Sequence, residues 1–108
     1  MVAGHDDEPW GEELRELEAR VEFSAGLGGA EAVARHRARG RLTVRDRIER
    51  LGDPGSFREV GRLAGRSSRD DEGVLAEVKP ANFVCGELDL DGRPVVVTGY
   101  DYTVRGGA

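Results

Sequence analysis

The sequence has one cysteine and no long apolar run, and each of these scarcities excludes a class of protein. A lone cysteine, Cys85, cannot form an internal disulfide, so the chain is not a disulfide-stapled secreted scaffold and we expect a reducing compartment. No apolar run approaches the roughly 18 residues needed to cross a bilayer. The acidic amino end also lacks the order of a signal peptide, so we expect a cytoplasmic protein without membrane contact.

Apolar and basic residues are both limited in number. Only 38% of the 108 residues are apolar, so the chain can bury a small core and we expect marginal stability for it alone. The formal net charge is −5, from 16 basic and 21 acidic residues. An overall negative charge argues against nucleic acid as a partner, although a local basic patch could still bind an anion.

The amino-terminal part of the chain begins with an acidic tail and an amphipathic helix. We expect residues 1–9 to be disordered. The apolar residues Trp10, Leu14, Leu17 and Val21 then recur at spacings of four, three and four, with charged residues on the other faces. This pattern predicts a helix whose apolar stripe packs against another helix or another subunit.

Two further helices follow a flexible, glycine-containing break. Good helix formers predict a second helix over residues 30–39, and Gly40 follows it as a carboxyl-terminal capping glycine. A third, short helix is predicted after Thr43, because Asp46 lies three residues later in the arrangement of a capping box. Gly52 ends this helix.

Short strands are predicted in the second half of the chain. A strong turn signal at residues 53–56 precedes a short, irregular strand within residues 57–63. Residues 65–73 are polar and charged, which is typical of a surface loop. Residues 74–78 alternate weakly before Pro80, so any strand there is short or at a sheet edge.

A β-hairpin is the clearest local prediction in this half. Residues 83–90 and 94–98 read as strands joined through Asp91 and Gly92, a pair that tolerates the positive φ angles of a tight turn. The uninterrupted apolar run at residues 95–97 predicts a strand that is covered on both faces.

Arginines concentrate in one segment of this acidic chain. Guanidinium groups match phosphate and carboxylate oxygens, so the segment is a candidate anion site. The alternative is a solvated helix face in a chain that uses arginine almost throughout. Seven arginines lie within 16 residues, at Arg35, Arg37, Arg39, Arg41, Arg45, Arg47 and Arg50.

The sequence gives little support for DNA binding, metal binding or catalysis. The two short helices allow a helix-turn-helix interpretation, with Arg45 and Arg47 reaching DNA bases, but the net charge opposes it. The histidines, His5 and His36, fit no zinc-ligand spacing and are expected at the surface. Cys85 is expected to be a small residue buried in a strand. No metal site and no catalytic residue are predicted.

Three stretches together resemble a known family. Residues 35–48 match the pattern H-x-A-R-G-K-L-T-x-R-E-R-I, with Arg41 in the lysine position and Asp46 in the glutamate position. Residues 51–57 match L-D-P-G-S-F, and residues 92–108 match G-R-P-V-x-V followed by D-F-T-V-x-G-G-[SA], with a tyrosine for the phenylalanine. In order and spacing they resemble the amino-terminal region of the carboxyltransferase (beta) subunit of biotin-dependent acyl-CoA carboxylases, the family of propionyl-CoA and methylcrotonyl-CoA carboxylases.

The resemblance implies a fold and a division of the chain. The fold class is α/β, or α+β for this portion alone: amino-terminal helices followed by the first β-hairpin of a crotonase-like ββα spiral domain. After the tail, residues 10–52 would form a helical arm with the basic segment. Residues 53–108 would begin the acyl-CoA-binding domain, and the chain would cover only the first part of such a subunit.

The resemblance also implies an activity and partners. The family transfers a carboxyl group from carboxybiotin to an acyl-CoA, with oxyanion-stabilising N–H groups in later loops, so we expect this segment to be catalytically incomplete alone. It would bind no cofactor directly; a biotin carrier, a biotin carboxylase subunit and further copies of itself would be partners of the whole protein. Arg39, Arg41 and Arg45 would contact the CoA phosphates, or form ion pairs with carboxylates of the sheet. The alternative function is a small non-catalytic helical interaction or nucleic-acid-binding module that uses the arginine-rich segment.

Overall fold

The computed structural model describes residues 9–108, so the predicted tail lies outside the described residues except for Pro9. Helices come first and antiparallel strands follow, as predicted. None of the helices in the described part of the chain is both long and apolar enough to cross a membrane. The elements are α1 (Gly11–Ala25), α2 (Ala30–Ala38), α3 (Val44–Leu51), β1 (Arg58–Val60), β2 (Gly65–Arg69), β3 (Leu75–Pro80), β4 (Phe83–Leu90), β5 (Arg93–Tyr100) and a 3₁₀ turn (Arg105–Gly107).

The strands form two antiparallel sheets. One has three strands in the order β1-β4-β5, with Val60 opposite Cys85 and Phe83 opposite Tyr100. The other is the hairpin of β2 and β3, in which a register shift falls between Ser68 and Arg69. The longest strands, β4 and β5, therefore form the centre and one edge of the larger sheet.

The predicted hairpin turn is confirmed, and a distant carboxylate holds it. Asp91 and Gly92 have φ angles of 50° and 80°, both in the left-handed region. The two carboxylate oxygens of Asp53 accept hydrogen bonds from the backbone N–H groups of Asp91 (3.0 Å) and Gly92 (2.8 Å). The Asp53 N–H donates to the carbonyl of Asp89 (2.7 Å). We call this arrangement the Asp53 clamp; it joins the turn after α3 to the β4–β5 turn.

One small core lies between the helices and the three-stranded sheet. Its buried members come from the connection after α1, from α3 and from β4, so the helical segment and the sheet share it. Close packing depends on Gly99 in β5, since a Cβ atom there would lie 2.6 Å from Cγ2 of Val44. The buried apolar residues of this core are Leu27, Val44, Ile48, Val84 and Leu88.

Helix α1 packs against β3. The sequence-based alternative in which it packs against another helix was wrong. An ion pair between Arg69 Nη1 and Glu16 Oε1 (2.6 Å) adds a link to the β2–β3 hairpin. This hydrogen bond from Arg69 lowers the pKa of the Glu16 carboxyl. Trp10, expected on the apolar stripe, is 68% exposed, so the stripe is only partly buried within the described residues.

Two strand predictions were wrong. Residues 65–73 are not a loop: the first five form β2, which is exposed along its whole length and therefore carries no apolar alternation to reveal it. The run at residues 95–97 is not covered on both faces, because Val96 is 71% exposed on the outer face of the sheet. The three consecutive valines thus alternate between the packed face and the exposed face of a strand that is covered on one side only.

Candidate functional site

The arginine-rich segment, residues 35–50, forms a corner between α2 and α3, which we call the arginine corner. Gly40 makes the bend possible, since its φ angle of 76° favours glycine and its N–H donates to the carbonyl of Arg37 (2.9 Å). The N–H of Arg41 donates to the carbonyl of His36 (3.3 Å). The chain therefore leaves α2 with Arg39 and Arg41 on either side of the bend.

A complete capping box begins α3 and fixes the other side of the corner. The Thr43 hydroxyl accepts from the N–H of Asp46 (3.1 Å), and the Asp46 carboxylate accepts from the N–H of Thr43 (3.0 Å), as predicted. Arg37 also donates to this carboxylate (3.1 Å). The backbone hydrogen bond from Thr43, and next the one from Arg37, lower the pKa of Asp46.

Arg45 faces inward, toward the sheet. Its two terminal nitrogens donate to the two carboxylate oxygens of Glu59 in β1, at 2.8 and 3.0 Å. The side chains are 26% and 10% exposed, so this two-pronged pair is largely shielded from water. Its geometry is that of the strong arginine–carboxylate interaction, and it links α3 to the edge of the sheet.

Arg41 lies instead at the surface, over an aromatic ring from the far end of the chain. Its guanidinium carbon is 5.2 Å from the centre of the Tyr102 ring. The ring of His36 stacks on the same tyrosine, with centroids 5.7 Å apart and an interplanar angle of 29°. The first and third motifs of the sequence therefore meet at this place.

Arg39 is exposed at the end of α2. Its guanidinium makes no hydrogen bond or ion pair with another residue in the described range 9–108. An open groove runs beside the corner, and its charged lining includes carboxylates as well as guanidinium groups. An anion in the groove would therefore be attracted by the guanidinium groups and repelled by the carboxylates. The residues that line this groove are Arg37, Gly40, Arg41, Leu42, Asp46, Glu49 and Arg50.

The structure thus places the three arginines singled out from the sequence in two different environments. Arg39 and Arg41 are exposed on either side of the bend, whereas Arg45 is already bound to Glu59. A contact of any of them with a phosphate stays a prediction. The helix-turn-helix alternative required Arg45 to reach DNA bases, and its engagement with Glu59 counts against that arrangement.

Sequence reasoning missed two residues of the site. His36 is partly buried rather than a plain surface residue, and its Nε2 lies 2.8 Å from the Leu42 carbonyl. Tyr102 entered only as a variant of a motif residue, yet it forms the ring at the centre of the stack. No local sequence pattern indicates this contact, because 66 positions separate the two residues in the sequence.

Comparison with known proteins identifies a family for most of the chain. The carboxyl transferase domain matches residues 35–108, which include the arginine corner and the β4–β5 hairpin. A similar protein is the biotin-dependent long chain acyl-coenzyme A carboxylase beta4 subunit of Mycobacterium tuberculosis, 38% identical over 96 residues. The mitochondrial methylcrotonoyl-CoA carboxylase beta chain of Arabidopsis thaliana is also 38% identical over 96 residues.

The alignments cover nearly all of this chain but little of those relatives. They include 89% and 87% of the chain, yet only 17% and 15% of the two proteins. Among solved structures, transcarboxylase 12S with methylmalonyl-coenzyme A and methylmalonic acid bound matches at a TM-score of 0.72 and 30% identity. That match covers 89% of this chain and 19% of the other, and it confirms the predicted fold class.

Proposed function

Because the chain belongs to the carboxyl transferase domain family, we propose that it supplies part of the acyl-CoA-binding face of an acyl-CoA carboxyltransferase. In that activity a carboxyl group moves from carboxybiotin, carried on a separate carrier, to the α-carbon of an acyl-CoA. The role of this chain is to bind and to build the scaffold; none of its residues is assigned to the chemical step. A biotin carrier, a biotin carboxylase subunit and further copies of the chain are the partners that belong to this proposal.

The observation that carries the proposal is the exposure of Arg39 and Arg41 at the arginine corner, within the family match. CoA carries phosphate groups at its nucleotide end, and guanidinium donates in a planar fork that suits phosphate oxygens. Arg45 stabilises the position of α3 through its ion pair with Glu59 in β1. The phosphates would therefore meet Arg39 and Arg41 directly, and Arg45 would act on them only through the position of α3.

Two further parts of the proposal concern organisation and location. Residues 10–52 form the helical arm and residues 53–108 the start of the acyl-CoA-binding unit, although both contribute to one core. We also propose a cytoplasmic location, on the grounds of the single cysteine.

Calorimetric titration with CoA, and with pantetheine as the ligand that lacks the nucleotide, tests the proposal. We expect CoA to bind and pantetheine to bind far more weakly. Arg39→Ala and Arg41→Ala should each weaken CoA binding by about fivefold or more, since a charge-assisted hydrogen bond contributes about 1 kcal/mol or more. Arg66→Ala, which removes an exposed arginine from β2, is the matched control and should leave the affinity unchanged.

Two results would contradict the proposal. Equal affinity for CoA and pantetheine would remove the nucleotide end from the interaction. Equal losses for Arg66→Ala and the two corner variants would indicate a general effect of net charge rather than a site.

A further inference from the structure

We propose that Tyr102 is a positioning residue whose ring holds the Arg41 guanidinium where that group meets a phosphate of CoA. The inference rests on the proposed function and deepens it, since it adds a residue that acts through Arg41. It starts from the contact between the guanidinium carbon and the tyrosine ring, at 5.2 Å from the ring centre. A cation within about 6 Å of an aromatic centroid is attracted by the negative face of the ring.

The ring is itself held in place by its neighbours. His36 stacks on it, and Nε2 of His36 donates to the Leu42 carbonyl (2.8 Å), since a carbonyl oxygen only accepts. Leu42 directly follows Arg41 in the chain. The histidine therefore ties the tyrosine ring to the same turn that carries the arginine.

The backbone on both sides of Tyr102 is anchored as well. Asp101 is 1% exposed, and its Oδ1 accepts from the N–H (2.9 Å) and the hydroxyl (2.6 Å) of Thr103. The Thr103 hydroxyl accepts in turn from the N–H of Gly28 (2.9 Å). Tyr102 is thus fixed at its backbone while its side chain remains 51% exposed, which suits a ring that serves as a surface platform.

The physical effect expected of this platform is preorganisation. An exposed arginine samples many rotamers in solution, and binding through it requires most of that freedom to be lost. The ring restricts Arg41 before a ligand arrives, while the Arg41 side chain remains exposed to solvent. Binding through Arg41 then costs less conformational entropy.

A double-mutant cycle on the full 108-residue chain, with CoA as the probe, tests the inference. Tyr102→Leu should weaken CoA binding by about two- to fivefold, the size of an exposed cation–π contact. Tyr102→Phe, which keeps the aromatic face, should retain the affinity. In the Arg41→Ala background Tyr102→Leu should have no further effect, because its influence passes through Arg41.

Equal losses from Tyr102→Leu with and without Arg41, or a loss from Tyr102→Phe as large as that from Tyr102→Leu, would overturn the inference. The contact is also measured without any ligand, from the ring-current shift of the Arg41 Nε–H resonance in NMR spectra. That shift should persist in Tyr102→Phe and disappear in Tyr102→Leu, and its absence from the native chain would refute the contact. If the shift is present but Arg41→Ala leaves CoA binding unchanged, the assignment of Arg41 to phosphate fails, and the positioning role fails with it.

Discussion

At the scale of single residues, three carboxylates bond to other parts of the chain and stabilise the fold. Asp46 closes the capping box of α3, and Asp53 clamps the turn of the β4–β5 hairpin. Glu59 receives Arg45 through both of its oxygens. Each of these three carboxylates accepts at least two hydrogen bonds.

Asp46 gives a pH-dependent prediction. Hydrogen bonds from Thr43 and Arg37 place its pKa in the folded chain below the ordinary value of 3.8. Its contribution to stability is therefore complete above 3.8 and is lost as the pH falls through the lowered pKa of the folded state. Asp46→Asn should lower the free energy of unfolding by about 0.5–1 kcal/mol at neutral pH, the size of a charge effect at a helix start.

Urea denaturation at several pH values measures this effect. The difference between the native chain and Asp46→Asn should shrink as the pH falls below 3.8. Thr43→Ser keeps a capping hydroxyl and is the control that should retain the native pH dependence. A difference that stays constant across the whole range would show that the Asp46 charge does not stabilise the helix.

At the scale of elements, the position of α3 depends on a strand residue without a side chain. Gly99→Ala would place a methyl group 2.6 Å from Cγ2 of Val44, so α3 or β5 would have to move. We expect a loss of about 1–3 kcal/mol in the free energy of unfolding, as for other overpacked cores. Urea denaturation measures it.

Thr98→Ala is the matched control for this prediction. Thr98 precedes Gly99 but lies on the exposed outer face of β5. Its replacement should cost less than about 1 kcal/mol, the range of strand propensities. If the two variants were equally destabilised, close packing between Gly99 and Val44 would not be the cause.

Predictions from the sequence succeeded for some of these elements and failed for others. The capping box of α3, the bend at Gly40 and the Asp91–Gly92 turn rest on residues within a few positions of each other, and all three were predicted. Strand β2 was missed, since an exposed hairpin strand is stabilised by backbone pairing that leaves no apolar pattern.

The candidate site was predictable only in part, for the same reason. The arginine-rich segment stands out in the sequence, but the partner of each arginine does not. Arg45 bonds Glu59, which is 14 positions away, and Arg41 lies over Tyr102, which is much further along the chain. Which guanidinium stays exposed is decided by these tertiary contacts, and composition carries no information about them.

At the scale of the whole molecule, the small core predicts uneven stability. Strand β4 is bonded on both sides, by β1 and β5, and buries Val84 and Leu88. Strand β2 has one partner among the described residues and no buried side chain. Backbone amides of β4 should therefore exchange with deuterium at least about tenfold more slowly than those of β2, which open locally.

Hydrogen exchange followed by NMR tests this order. Strand β3 shares the same hairpin but packs on α1, so its amides should fall between those of the other two strands. Uniform protection across all three strands would mean that the chain opens only as a single unit.

The Asp53 clamp has a consequence for the chemical ageing of the molecule. An Asp-Gly bond is prone to isomerise to isoaspartate, because the unhindered glycine nitrogen attacks the aspartate side chain to form a succinimide ring. Here that nitrogen, in Gly92, is held by its hydrogen bond to Asp53, and Asp91 is fixed in a left-handed turn. We therefore expect the Asp53 clamp, which joins two turns, to slow succinimide formation at the Asp91–Gly92 bond.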